Sequence, residues 1–170
     1  MASGFPTLQP AFVVKVNIAG SSPVGVVASG SNLTHHEAPT GTIKSAPGFT
    51  PEINAQIVFG GDFIYTDPDG LRARLNIQLV AKTDDNVVMY LKGKGIANVT
   101  EAIKGFLAGT EPGKTAFGRS SAQFGIEVAA GKYKDLENHI FVGNGRFVRE
   151  QGGTTVEFRL SVVVPSTAME

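Results

Sequence analysis

Asp62, Glu127 and Arg74 are the residues of this sequence with the clearest chemical capacity, with Lys92 and Tyr90 beside them. A carboxylic acid in apolar surroundings keeps its proton towards neutral pH and acts as a general acid. An arginine facing it stabilises an oxygen on which negative charge develops. Such a set needs no cofactor. The same residues also read as solvated groups on an outer face, the ordinary place for charged side chains.

Other chemistries find less support. There is no cysteine, which removes disulfides, thiolate metal sites and cysteine nucleophiles. His35 and His36, if on a strand, point to opposite faces and cannot readily share a metal, and no zinc spacing involves His139. These three histidines read as surface or packing residues. Gly113-Lys114-Thr115 looks like the end of a phosphate loop, but Ala108 stands where the loop's first glycine belongs. Asp67, Asp69 and Gly70 open like a calcium loop, yet Gln78 occupies the acidic twelfth position, so a turn is the better reading. There is no Gly-x-Ser-x-Gly elbow, and no serine is placed for a triad.

The elements that must position any site are strands. Apolar and polar residues mostly alternate, and glycine is spread along the chain. Strands are expected at Ala11 to Ala19, Thr42 to Lys44, Ile53 to Phe59, Phe63 to Thr66, Leu71 to Lys82 and Asn86 to Lys94. Others are expected at Ala116 to Val128, His139 to Arg149 and Thr154 to Val164. Turns are marked at Asp67-Pro68-Asp69-Gly70, at Thr83 to Asn86 and at Gln151-Gly152-Gly153. Gly20 to Ser31 and Ala38 to Pro51 read as irregular surface connections. Two short helices are expected, Thr100 to Leu107 behind a threonine cap and Lys132 to Asn138. Strands following one another at hairpin spacing favour an all-β fold, a single antiparallel β-barrel, over residues 1–170 with a structured core from about 10 to 164.

Each strand offers two faces. Leu71, Ala73, Leu75, Ile77, Leu79 and Ala81 share one, while Arg72, Arg74, Asn76 and Gln78 share the other. In the strand reaching Val128, Gln123 and Glu127 lie on a polar side. Periodicity alone leaves open which face lines the barrel.

Bulk properties narrow the partners. The 170 residues carry 15 basic and 15 acidic side chains, so no basic stripe marks a nucleic-acid face. No apolar run approaches the roughly 20 residues of a membrane helix. The opening residues do not form a secretory signal, and a cytoplasmic protein is the expectation.

Several segments resemble the DUF3237 family, especially its small fungal members. They are Gly41 to Lys44, Val58 to Phe63, Asp67 to Asn76, Phe124 to Glu127, Tyr133 with Leu136 to Asn138, and Phe141 to Arg146. The likeness spans about residues 10 to 164. It implies a calycin-like or allene-oxide-cyclase-like barrel with a central cavity, commonly a homodimer, and it tilts the expectation towards a polar-lined interior. It further implies a cofactor-independent cyclase or isomerase of fungal-type secondary metabolism. That enzyme would close a ring on a small apolar or aromatic substrate, such as a prenylated or polyketide-derived aromatic. Glu127, Asp62 and Arg74 are the expected catalytic residues, and Tyr90, Asn76, Gln78, Gln123 and Lys92 the expected substrate contacts. Glu127 matches the family's Phe-Glu glutamate with Ile126 in place of the usual aromatic; Asn76 and Gln78 stand where bacterial members favour Asp and Arg. The alternatives are a barrel that carries a hydrophobic ligand unchanged and a structural dimer with a filled core.

Overall fold

The computed structural model describes residues 3–109, 112–129 and 131–167. Eight strands close into an antiparallel barrel. Around it run β1 (Thr7–Ile18), β4 (Thr40–Ser45), β5 (Asn54–Thr66), β6 (Arg72–Thr83), β7 (Val88–Asn98), β9 (Ser120–Val128), β10 (Phe141–Glu150) and β11 (Gly153–Val164). Pairing of β5 with β6 completes the ring. A two-residue strand, β8 (Gly113–Lys114), adds to β10.

The segment expected to be an irregular loop, Gly20 to Ser31, instead carries β2 (Gly20–Val26), which forms a hairpin with β3 (Asn32–Glu37), and the one expected at Ala38 to Pro51 carries β4. The hairpin extends the barrel wall at one end, because β3 pairs with the C-terminal half of β5 where β4 has ended. Glycine and serine hid it from periodicity. The sequence tolerates Pro23 inside β2 because β2 is an edge strand, and a bulge between Pro23 and Gly25 bends it. The two expected strands at Ile53 to Phe59 and Phe63 to Thr66 are one, β5, and the strand expected from Ala116 begins only at Ser120.

The face question is answered by β6. Ala73, Leu75, Ile77, Leu79 and Ala81 are buried inside, and Arg72, Arg74 and Gln78 face out. The expectation of a polar-lined interior is therefore corrected. Burying a leucine or isoleucine side chain stabilises by about 1.5–3 kcal/mol, whereas burying an unpaired charge costs more.

One half of the barrel is filled. Phe12, Phe49 and Phe141 pack with ring centroids 4.9 and 5.2 Å apart for the pairs involving Phe12. The 3₁₀ turn Lys134–Asn138 seals this end with buried Tyr133 and Leu136. Tyr133 donates its hydroxyl to Asp85, and the backbone N–H of Val128 donates to Glu137, both at 2.8–2.9 Å. The opposite half is hollow, and Phe124 against Phe158, centroids 5.3 Å apart, lies between the two.

The helix α1 (Glu101–Ala108) crosses the hollow end. Thr100 caps it by accepting from the Ile103 N–H, as its sequence suggests. Its last turn is pinned by Arg149, which donates to the carbonyls of Phe106 and Leu107 and lies over the Phe106 ring.

Candidate functional site

The hollow end holds a cavity of about 320 Å³. Its wall is mainly aliphatic and aromatic, including Val16, Leu75, Ile77, Leu107 and Phe147. The polar groups that reach it are few: Asp62, His36, Ser21, Ser120 and Thr154. An apolar pocket with a handful of convergent polar groups is the usual form of a small-molecule site, and this volume sits at the small end of the common range of roughly 300–1,000 Å³.

Asp62 faces this cavity because β5 carries an irregularity. Ile57 pairs with Ala81, but Phe59 pairs with Val80, so Val58 is an extra residue. Before it the odd positions Ala55 and Ile57 are buried; beyond it the inward parity changes and Asp62 and Ile64 line the cavity. Further along, Phe63 and Ile64 have no partner on β6. The Asn76 N–H of that stretch donates instead to Oδ1 of Asp62, at 2.8 Å. The Asn76 contribution is thus its backbone rather than its side chain.

Burial pushes the Asp62 carboxyl up to about 6, against the smaller opposing pull of the Asn76 N–H. Oδ1 is held as an acceptor, which leaves Oδ2 as the natural seat of the proton. Asp62 in this setting is a carboxylic acid able to give a proton near neutral pH.

Opposite Asp62 stands His36. Ser21, His36 and Asp62 are direct cross-strand partners on β2, β3 and β5, and all three line the cavity. Ser21 Oγ lies 2.8 Å from His36 Nδ1. Burial, with the neighbouring His35, lowers the His36 pKa below 6.5, so the ring is neutral at pH 7. His35 points the other way, its ring 4.6 Å from that of Phe63 on the outer surface. The serine, histidine and aspartate do not form a hydrolytic triad, because no hydrogen bond joins His36 to Asp62 among the described residues.

Most other expected site residues lie on the outer wall, away from Asp62. Glu127 is half exposed and pairs with Lys92. Arg74 donates through two nitrogens to Asp67, at 2.8 and 2.9 Å, outside the barrel. Tyr90 donates to Gln78. Tyr90, Gln78, Lys92, Gln123 and Asn76 share a shallow external depression rather than the cavity. Glu127 and Arg74 thus do not converge with Asp62; the pleat that buries Leu75 and Ile126 turns them outward. The residues that sequence reasoning missed are His36 and Ser21. Their only signal was a histidine pair of which one member must face inward, and it was masked by reading the preceding segment as loop.

Among the described residues, no three His, Asp or Glu side chains group as a metal site. No helix there is long and apolar enough to cross a membrane.

The family described as "protein of unknown function (DUF3237)" matches residues 6–163. The chain belongs to the DUF3237 family. No curated protein matches it by sequence. Among solved structures, a conserved protein of unknown function from Rhodopseudomonas palustris is similar with TM-score 0.75 and 22% identity, over 94% of this chain and 99% of that one. A beta-barrel like protein from Acinetobacter baumannii gives TM-score 0.71 and 20% identity, over 93% and 96%. A protein from Penicillium herquei described as an enzyme gives TM-score 0.61 and 12% identity, over 94% and 98%. At these identities the likeness is one of fold.

Proposed function

We propose that this DUF3237 member is a cofactor-independent cyclase or isomerase in which Asp62 is the general acid. The observation that carries the reading is a carboxyl in an otherwise apolar cavity, raised to about 6 by burial. The fold neighbour from Penicillium herquei, described as an enzyme, is in keeping with catalysis on this architecture. The substrate is a one- or two-ring aromatic bearing a hydroxyl and a nearby alkene, as in prenylated or polyketide-derived compounds of fungal-type secondary metabolism. Asp62 protonates the alkene, the hydroxyl oxygen attacks the carbon left electron-poor, and the hydroxyl gives up its proton, which in the net returns to the Asp62 carboxylate. Bonds and charges balance, and the product is an isomer of the substrate. The apolar wall excludes water that would compete for the cation and holds the two groups in reach; positioning of this kind lowers a barrier by about 7–11 kcal/mol in favourable cases.

The test is incubation with a panel of 2-prenylphenols and prenylated naphthols, followed by chromatography and proton NMR. The expected result is a product of unchanged mass that has lost its alkene signals. Asp62→Asn should reduce its formation by about 10²–10⁴-fold, the usual worth of a general acid. Binding of the panel with every compound recovered unchanged would overturn the enzymatic reading and establish a carrier of hydrophobic ligands.

A further inference from the structure

The ring closure above releases a proton from the substrate hydroxyl, and the cavity holds a second group suited to take it. We propose that His36, held by Ser21, is the general base of the cavity, accepting the hydroxyl proton while Asp62 delivers its own. The inference rests on the acid role of Asp62 for its chemistry but on separate atoms for its evidence.

Three observations carry it. His36 stands directly opposite Asp62 on the neighbouring strand and faces the same cavity, so directly opposed Cβ atoms lie about 4.5–5.5 Å apart and one small ligand reaches both. Nδ1 is engaged at 2.8 Å by Ser21 on the β2 side, and Nε2 has no hydrogen-bond partner among the described residues. Ser21 sits at the exposed rim, where water can take its own hydroxyl proton, so its oxygen can accept from Nδ1–H. The opposite tautomer would leave an Nε2–H with no acceptor among the described residues, at the cost of an unmade hydrogen bond in a partly buried place. The Nδ1–H form therefore presents a lone pair on Nε2 to the cavity.

The electrostatic surroundings agree. Asp62 and His36 are the titratable side chains lining the cavity among the described residues. From outside, His35 lies behind His36 on the same strand, and Glu37 follows it on the exposed face. Burial and His35 both keep His36 neutral, the form a base requires. The cycle closes without a cofactor. After ring closure Asp62 is a carboxylate and His36 an imidazolium; the proton passes from Nε2 to the Asp62 carboxylate through one water admitted as the product leaves, and both return to their starting forms. A single carboxyl could manage both transfers in sequence. The second group allows them together, which avoids a free cation.

The experiment uses the full chain labelled with ¹⁵N-histidine and reads the ring nitrogens by long-range proton–nitrogen correlation, with 2-naphthol as a non-cyclising phenol probe. The expected spectrum shows His36 neutral at pH 7 in the Nδ1–H form, with its Nε2 signal, and not that of His139, moving on addition of 2-naphthol. Ser21→Ala should mix the two tautomers while the chain stays folded. With a turned-over prenylphenol in hand, His36→Gln should lower kcat by about 10²–10⁴-fold, as for a general base, and Ser21→Ala by up to about tenfold, as for one hydrogen bond. His36→Asn serves as a second variant should the first fail to fold. A His36 ring in the Nε2–H form, or one indifferent to 2-naphthol, overturns the base role and leaves Asp62 untouched. An Asp62→Asn variant that keeps turnover while His36→Gln loses it overturns the acid role and upholds His36.

Discussion

His36 and Asp62 face each other across β3 and β5, a neutral imidazole opposite a carboxyl raised by burial, and among the described residues they are the titratable groups that line the cavity. A base and an acid placed in this way make the activity depend on pH from both sides. The reaction needs His36 unprotonated and Asp62 protonated. Rate should rise as pH climbs through the lowered His36 value and fall as pH passes the Asp62 value of about 6, giving a bell whose alkaline limb lies on the acid side of neutrality. His36→Gln should abolish the acidic limb and keep the alkaline one. A pH profile of kcat/KM for both proteins checks this.

Asp62 should also govern stability. Its carboxyl binds a proton more tightly in the fold, at about 6, than at its ordinary value of 3.8. The sign follows: folding is penalised as pH rises from 3.8 through about 6, and the penalty is complete above that. A gap of about two units corresponds to roughly 3 kcal/mol. Asp62→Asn, which cannot ionise, should match wild type near pH 4 and be more stable above pH 7. Urea midpoints across this range give the measurement.

The outer-wall carboxylate and arginine predict the contrary. Glu127→Gln breaks a solvent-exposed pair with Lys92, and Arg74→Gln a two-nitrogen pair on the outer surface in which Arg74 is exposed and the Asp67 side chain 18% exposed. Water and salt screen ion pairs on an outer surface, so their net contribution is small. Both variants should retain turnover, ligand binding and nearly all stability. A tenfold loss of kcat in either would return them to the site.

Filling the cavity separates binding from folding. Ala97 lines the hollow end and is only partly buried. Ala97→Phe should abolish the response to 2-naphthol, seen by NMR or calorimetry, while shifting stability by less than about 2 kcal/mol, since the added ring enters empty space.

Gly61 tests the coupling of the wall to His36. A methyl group there would strike the His35 ring and approach the His36 carbonyl oxygen at 3.0 Å. Gly61→Ala should displace His35 from Phe63, disturb the His36 signals and cost about 1–3 kcal/mol, as overpacking generally does.

Much of this was legible in the sequence. The alternation of Leu71 to Lys82 marked β6, Thr100 marked the helix start, and the ordered motifs marked the family. The direction of the faces was not legible, because alternation is symmetric and only the closed barrel says which side is inside. The site was hidden by two local events. The extra residue Val58 shifts the parity of β5, so Asp62 cannot be assigned a face by counting from Ile57. Gly20 to Ser31 has the composition of a loop, and it is pairing with β5 through β3 that makes strands of it and brings Ser21 to the rim. Glu127 and Arg74 drew notice for their charge, and charge is also what sends a side chain outward.

The two halves of the barrel carry separate duties. The phenylalanine cluster and its 3₁₀ seal bury the side chains on which folding depends, at a distance from the hollow end where Asp62 and His36 sit. Residues at the mouth can therefore change with little penalty to the scaffold. A lineage built on this plan is free to exchange one small ligand for another by altering a few positions around a fixed acid, so members with the same barrel need not share a substrate.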